Sequence, residues 1–195
     1  MMHRFFLKLS QVFAYLGGLM LTLLVVMTCV SVVGRKLNDL LHDMVADGNM
    51  AGLAQALLDA NIGAINGDFE LIEAGIAFSI FAFLPLCQIT NGHASVDIFT
   101  SKLSARTNRV LRAVIEVVFA MVLVLIAVQL SSGMFSKLRS GQTTFLLQFP
   151  VWWAYALSLT GAVTAAIVAI YMALIRIMES LTGATILRDE MGAEH

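Results

Sequence analysis

The chain has 195 residues, of which 59% are hydrophobic and only 13% are charged. Soluble domains carry about 25% charged residues, so the composition excludes a disordered chain and argues against an ordinary soluble enzyme. Twelve basic and thirteen acidic residues give a net charge of -1, which provides no general attraction to nucleic acid. The position of the few charges therefore becomes the informative feature.

Four long stretches of the chain contain no charged residue. A helix needs about 20 apolar residues to cross a hydrocarbon core of about 30 Å. We therefore predict membrane-spanning helices over about residues 12–33, 71–90, 113–135 and 151–175. The first is too long for the apolar part of a signal peptide, so we expect it to be retained. The sequence predicts an all-α integral membrane protein with a single membrane domain over residues 1–195.

The basic residues predict the orientation, because cytoplasmic connections carry an excess of Lys and Arg. Eight bases lie at the two termini and in the second connection, against four in the first and third connections. We therefore expect both termini to be cytoplasmic and the first and third connections to face outward.

The first connection, over residues 37–66, has apolar residues at helical spacing on both sides of an Asp47-Gly48-Asn49 break. This pattern predicts two short amphipathic helices. Their polar faces are acidic, unlike those of helices that bind anionic lipid, which favours contact with a protein partner. Asp68 is expected to cap the second span, with Glu70 and Glu73 in its first two turns.

Two further segments are typical of membrane interfaces. A basic amphipathic helix is predicted over about residues 94–110, with Lys102, Arg106 and Arg109 directed to lipid phosphates on the cytoplasmic side. The fourth span opens with Trp152, Trp153 and Tyr155, which we expect to anchor it at the outer interface.

The sequence offers no site for catalysis. It shows no nucleophile–base constellation, no phosphate-binding loop and no zinc-ligand spacing. All four histidines lie outside the predicted spans, which argues against a haem-binding anchor. His93 and Asp97 share a possible helix face, but two ligands make a weak metal site. We therefore predict no enzyme activity, no cofactor and no metal.

The predicted spans also lack the ionisable groups at mid-membrane that a transporter acting alone is expected to show. Glu116 is the candidate for a membrane-embedded acid, and it lies near the end of its span, four residues after Arg112. An accessory membrane subunit fits this profile best.

Several segments, taken in order, resemble the small permease subunit of TRAP (tripartite ATP-independent periplasmic) transporters. Residues 33–38 (Val-Gly-Arg-Lys-Leu-Asn) and 69–73 (Phe-Glu-Leu-Ile-Glu) are similar to the family's boundaries of its first two spans. Residues 92–97 (Gly-His-Ala-Ser-Val-Asp) resemble its signature after the second span, and residues 149–155 (Phe-Pro-Val-Trp-Trp-Ala-Tyr) its entry to the last. The 31 residues between Asn38 and Glu70 exceed the short connection expected in many members.

The resemblance implies a role in three-part uptake. A periplasmic binding protein would deliver an organic acid to a large sodium-coupled membrane subunit, and this chain would scaffold that subunit in the bacterial or archaeal inner membrane. Sodium coupling would reside in the large subunit. Motif matches mark six candidate partner-interface or structural residues: Arg35, Asn38, Glu70, Glu73, His93 and Asp97.

Two other functions remain open from the sequence. A small self-sufficient transporter working as a dimer would need Glu116 as its membrane-embedded acid. A membrane anchor of a respiratory complex would share the four-helix profile. The sequence does not specify the transported substrate or the helix faces that contact a partner.

Overall fold

The computed structural model describes residues 2–48, 51–59, 63, 65–90, 92 and 104–183. These residues form five helices, which we name α1 (Met2–Ala46), α2 (Ala51–Asp59), α3 (Asp68–Ile89), α4 (Ala105–Ser140) and α5 (Trp152–Thr182). No strand is present in this part of the chain, although Thr143 and Pro150 form an isolated bridge. The prediction of an all-helical protein is confirmed.

Four of the helices are long and apolar enough to cross a membrane, namely α1, α3, α5 and Arg106–Ser140 of α4. Each overlaps one of the predicted spans and extends beyond it at one end or both. Intrahelical hydrogen bonds satisfy the backbone of a spanning segment, so a helix is the expected form of each stretch in lipid. The four spanning helices expected from the charge map are therefore present.

The first connection differs from the expected pair of short helices. Residues 37–46 are the last part of α1 and not a separate element. The chain turns at Asp47 and at Gly48, which has a φ of 72°, and α2 then packs against α1. No Pro separates the apolar stretch of α1 from residues 37–46, and the helix continues through Gly34 past the predicted span.

The basic segment predicted over residues 94–110 is described only from residue 104 onward. There, α4 begins at Ala105, and the Ser104 side chain accepts a hydrogen bond from the backbone N–H of Thr107 at 3.2 Å. Residues 105–110 are thus continuous with the third span. The remainder of the predicted interfacial helix lies outside the described residues.

The spanning helices pack in a series rather than in a closed bundle. α1 packs on α3, α3 packs on α5, and α5 packs on α4, while α1 touches α5 only slightly. α5 is central, since 56% of its most apolar 18-residue segment is buried. The corresponding segments of α1 and α4 are each 17% buried. The two outer members of the series therefore present wide apolar surfaces that the described residues leave uncovered.

Small residues allow the helices of the series to approach closely. A side-chain carbon added at Gly161 of α5 would lie 2.9 Å from Cβ of Phe81 on α3. One added at Gly17 of α1 would lie 3.0 Å from Cβ of Ala82, on the same helix α3. Membrane helices associate through such contacts because lipid provides no hydrophobic force between them.

Candidate functional site: polar clusters at the two ends of α3

The first polar cluster joins α1 to the start of α3, and we call it the Arg35 cluster (Ser31, Arg35, Asp68 and Phe69). Ser31 Oγ donates a hydrogen bond to Asp68 Oδ2 at 2.6 Å, and Arg35 Nη2 donates to the same oxygen at 2.8 Å. The guanidinium also lies over the Phe69 ring, 5.6 Å from its centroid. Ser31 and Arg35 are four residues apart, so they share one face of α1.

Asp68 does not cap α3 in the way expected from the sequence. The N-cap residue is Gly67, which has no side chain to accept a hydrogen bond. The Asp68 carboxylate accepts a hydrogen bond from the adjacent Phe69 N–H of α3, at 2.9 Å, and reaches across to α1, where its side chain is 7% exposed. The Arg35 guanidinium lies within hydrogen-bond distance, and this interaction outweighs the modest gain from capping because a buried carboxylate requires a charged or donating partner.

Glu70 fixes the connection between α4 and α5 onto α3. Its Oε1 accepts a hydrogen bond from the backbone N–H of Leu146 at 2.7 Å, and its Oε2 accepts one from the backbone N–H of Leu147 at 2.9 Å. Both oxygens of one carboxylate therefore hold consecutive amides of the same loop. Charge-assisted bonds of this kind are about twice as strong as neutral ones.

The loop that Glu70 holds is itself ordered by hydrogen bonds. Backbone N–H groups of Thr144 and Val151 donate to the carbonyls of Phe149 and Gln142 at 2.9 and 3.0 Å. Gln148 adopts a left-handed φ of 55°, and its side-chain Nε2 donates to the carbonyl of Phe145 at 2.8 Å. The connection is thus a compact hairpin seated on the start of α3.

Asn38 and Glu73, also selected from the sequence, lie near these contacts. Asn38 is half-buried, and its side chain faces Gly63, where an added carbon would lie 3.4 Å from the amide nitrogen. Glu73 is exposed and borders a groove between α3, α4, α5 and the hairpin. We call this cavity of about 520 Å³ the Glu73 groove.

The aromatic residues predicted as anchors differ in their surroundings. Trp153 is exposed, and its ring meets that of Trp152 edge-on at 6.1 Å. Tyr155 is half-buried against α4, because a carbon added at Gly133 would lie 2.7 Å from its ring. Tyr155 therefore contributes to the contact between α4 and α5.

A second cluster lies at the other end of α3, and we call it the Arg176 cluster (Gln88, Glu116, Arg176 and Glu179). Gln88 of α3 donates a hydrogen bond to Glu116 of α4. On α5, Arg176 Nη1 donates to Glu179 Oε2 at 2.8 Å, with both side chains buried. Arg176 also interacts electrostatically with Glu116. The cluster joins three helices.

The predicted cytoplasmic basic residues are only partly described. Arg109 is half-buried, and its Nη1 donates to the backbone carbonyl of Gly183 at 2.7 Å. It thereby connects the start of α4 to the end of α5. Arg106 is exposed. Lys102, His93 and Asp97 lie outside the described residues.

Comparison with protein families decides the identity of the chain. Residues 24–179, more than half of the chain, match the family model described as Tripartite ATP-independent periplasmic transporters, DctQ component. The chain belongs to the DctQ family. No curated protein and no solved structure matches it. The family is the small permease component of TRAP transporters, so the resemblance inferred from the sequence motifs is confirmed.

Membership makes this DctQ component a multi-pass membrane protein that works with other TRAP components. Both polar clusters lie inside the matched range. Over the described residues, no three His, Cys, Asp or Glu side chains are grouped so as to hold a metal ion.

Sequence reasoning missed the Arg176 cluster of this DctQ component. Arg176 and Glu179 follow the predicted end of the fourth span, and Arg176 counts among the basic residues of the C-terminus in the predicted orientation. α5 in fact continues to Thr182. The available signal was their spacing, because residues three apart share a helix face and Arg176 follows an apolar stretch without a break.

Proposed function

We propose that this DctQ component is the scaffold of a TRAP transporter, holding a large sodium-coupled subunit during uptake of an organic acid from a periplasmic binding protein. The observation that supports the proposal is the open helix series. Its outer members, α1 and α4, have large apolar side chains exposed along their whole spans. A second membrane subunit packed on part of this surface would complete the fold.

The polar clusters suit a scaffold because they connect neighbouring helices at both ends of α3. The Arg35 cluster joins α1 to α3, and Glu70 joins α3 to the hairpin. The Arg176 cluster joins α3, α4 and α5. Helices that contact each other through polar groups at both ends resist tilting relative to one another. A scaffold requires this resistance, because a transport domain moves beside it.

The proposal places both termini in the cytoplasm and the protein in the inner membrane. The excess of basic residues at the termini and in the second connection supports this orientation. The Arg35 cluster, Glu70 and the hairpin would then face the periplasm, where a binding protein arrives. Arg35, Asn38 and Glu70 would shape that surface.

Affinity purification from the native membrane tests the scaffold role. A tag at the C-terminus of this chain is expected to recover a much larger, many-spanning subunit in a stable complex. Recovery of the chain as a monomer or self-associated dimer, with no larger membrane protein, would contradict the proposal.

A self-sufficient dimeric transporter is the second candidate, since Glu116 is an ionisable group within a predicted span. Its engagement by Gln88 and its electrostatic contact with Arg176 support a structural role instead. The Glu116→Gln variant distinguishes a scaffold from a self-sufficient transporter. A scaffold retains substrate specificity and sodium dependence in this variant, whereas a transporter that uses Glu116 as its coupling acid loses coupled uptake while the protein remains folded.

A further inference from the structure

The Glu73 groove changes in polarity along its length. Glu70 and Glu73 border one end, and the apolar residues Ala77, Leu130 and Ala154 line the deeper part. Glu73 and Ala77 are four residues apart, so the groove follows one face of α3 into the predicted span. A cavity that is acidic at the interface and apolar below it matches an amphipathic ligand.

The two carboxylates at this end are not equivalent. Both oxygens of Glu70 already accept backbone N–H groups of the hairpin. Glu73 is exposed, and within the described part of the chain it makes neither a hydrogen bond nor an ion pair. Glu73 is therefore the negative charge that remains available to a cation.

A second polar group lines the groove one turn below Tyr155. Ser158 is 2% exposed, and its hydroxyl forms no hydrogen bond with the described residues. An enclosed hydroxyl without a hydrogen-bond partner is unfavourable, because it loses its bonds to water and gains none in exchange. An acceptor carried by a ligand in the groove would remove this deficit.

We propose that the Glu73 groove binds a phospholipid whose head group carries a primary amine, such as phosphatidylethanolamine. The ammonium group lies against Glu73, and an ester carbonyl accepts a hydrogen bond from the Ser158 hydroxyl. One acyl chain follows the apolar lining formed by Ala77, Leu130 and Ala154. Phosphatidylglycerol has no cation and carries a net negative charge, so Glu70 and Glu73 select against it.

A lysine from a neighbouring protein would satisfy the charge of Glu73 but would leave Ser158 and the apolar part of the groove without a matching group. The lipid matches all three features. The site is formed entirely by this chain, so the inference does not depend on the scaffold role.

Native mass spectrometry of the purified complex tests the proposal, after equilibration with detergent micelles that contain equal amounts of phosphatidylethanolamine and phosphatidylglycerol. The wild type is expected to retain phosphatidylethanolamine in preference. In Glu73→Gln this preference falls about fivefold or more, the change expected from loss of a charge-assisted contact. Asp43→Asn, which removes an exposed acid on α1, is the matched control and leaves the preference unchanged.

A second variant tests the apolar part of the groove. Ala77→Phe fills the path of the acyl chain and is expected to lower retention of both lipids. Ile76→Phe, at an exposed position of α3 outside the groove, leaves retention unchanged.

Three results would overturn the proposal: equal retention of the two lipids by the wild type, an unchanged preference in Glu73→Gln, or cross-linking of a photoreactive group at residue 77 to a protein partner instead of lipid. If no large subunit copurifies, the scaffold role fails. The same comparison on the full-length chain alone still decides the lipid site.

Discussion

At the scale of single residues, the Asp68 carboxylate joins two helices. It accepts hydrogen bonds from Ser31 and Arg35, while the adjacent Gly67 provides the backbone turn that starts α3. A single carboxylate therefore fixes the distance between α1 and α3. The Arg35 side chain is 44% exposed, so solvent weakens the ion pair and the serine hydroxyl contributes a substantial part of the stabilisation.

A double-mutant cycle of Arg35→Met and Asp68→Asn should give a coupling free energy of about 1 kcal/mol in detergent, the upper range for a half-exposed pair. Lys36 and Asp39 provide the matched control, because their charged atoms are 3.9 Å apart and both side chains are mostly exposed. Lys36→Met and Asp39→Asn should be additive. A coupling for Arg35 and Asp68 no larger than that of the control would show that their contact does not fix α1 on α3.

Gly67 combines two requirements that only glycine meets. Its φ is 78°, and an added side-chain carbon would lie 2.4 Å from Cγ of Leu147 in the hairpin. Gly67→Ala should lower the free energy of unfolding by about 1 kcal/mol or more, from left-handed strain together with the clash.

Denaturation of Gly67→Ala and Gly67→Ala/Leu147→Ala would separate these effects, since the second change removes the clash and leaves the strain. Gly18→Ala is the control, because an added carbon there meets nothing within 4 Å. Equal stability of Gly67→Ala and wild type would contradict the described seating of the hairpin on α3.

At the scale of helices, the sequence predicted the four membrane-spanning segments more accurately than the residues at which the helices end. Long charge-free stretches require buried backbone hydrogen bonding in lipid, and this physical demand located all four spanning helices. Residues 37–46 and 176–182 were harder to place, because a polar residue can lie on a helix that continues into water or on a separate segment. The choice depends on contacts between elements, such as that of Arg176 on α5 with Glu116 on α4, which arise only after folding.

The same limit applies to the candidate residues. Arg35 and Glu70 could be selected from motifs, but their partners lie more than 30 residues away along the chain. Nothing in the sequence pairs Glu70 with the amides of Leu146 and Leu147, since backbone groups carry no signature. Likewise, the sequence does not predict the hydrogen bond from the Gln88 amide to Glu116, because it depends on how α4 packs near α3.

The contact between α3 and α5 depends on the absence of a side chain at Gly161. A carbon added there would lie 2.9 Å from Cβ and 3.1 Å from the backbone carbon of Phe81, and backbone cannot move aside without shifting the helix. Gly161→Leu should therefore separate α5 from α3 and lower stability by about 1–3 kcal/mol. Thermal unfolding in detergent measures the effect, and Ile167→Leu, at an exposed position of the same helix, should leave it unchanged.

The buried pair on α5 should behave differently on removal of one or both members. Arg176→Met leaves Glu179 buried without its cationic partner and should destabilise the protein by about 3–5 kcal/mol. Arg176→Met/Glu179→Met should recover part of that loss, because the Glu179 charge is removed together with that of Arg176, although Glu116 still lacks the Arg176 charge. Equilibrium unfolding of the three proteins checks this order, and a double variant less stable than Arg176→Met would contradict the pairing.

For the whole molecule, the open series of α1, α3, α5 and α4 is the feature that supports the scaffold role. α5 supplies the buried centre, while α1 and α4 leave apolar surfaces available to lipid and to another membrane subunit. Family membership identifies that subunit class as a TRAP component. Within the long first connection, α2 packs on α1.

Uptake by proteoliposomes tests the scaffold role. We predict sodium-dependent uptake, with the binding protein and its substrate present, only in vesicles that contain both this chain and the large subunit. Vesicles with this chain alone should show none. Full sodium-dependent uptake by this chain alone, or undiminished uptake by the large subunit without it, would contradict the scaffold role.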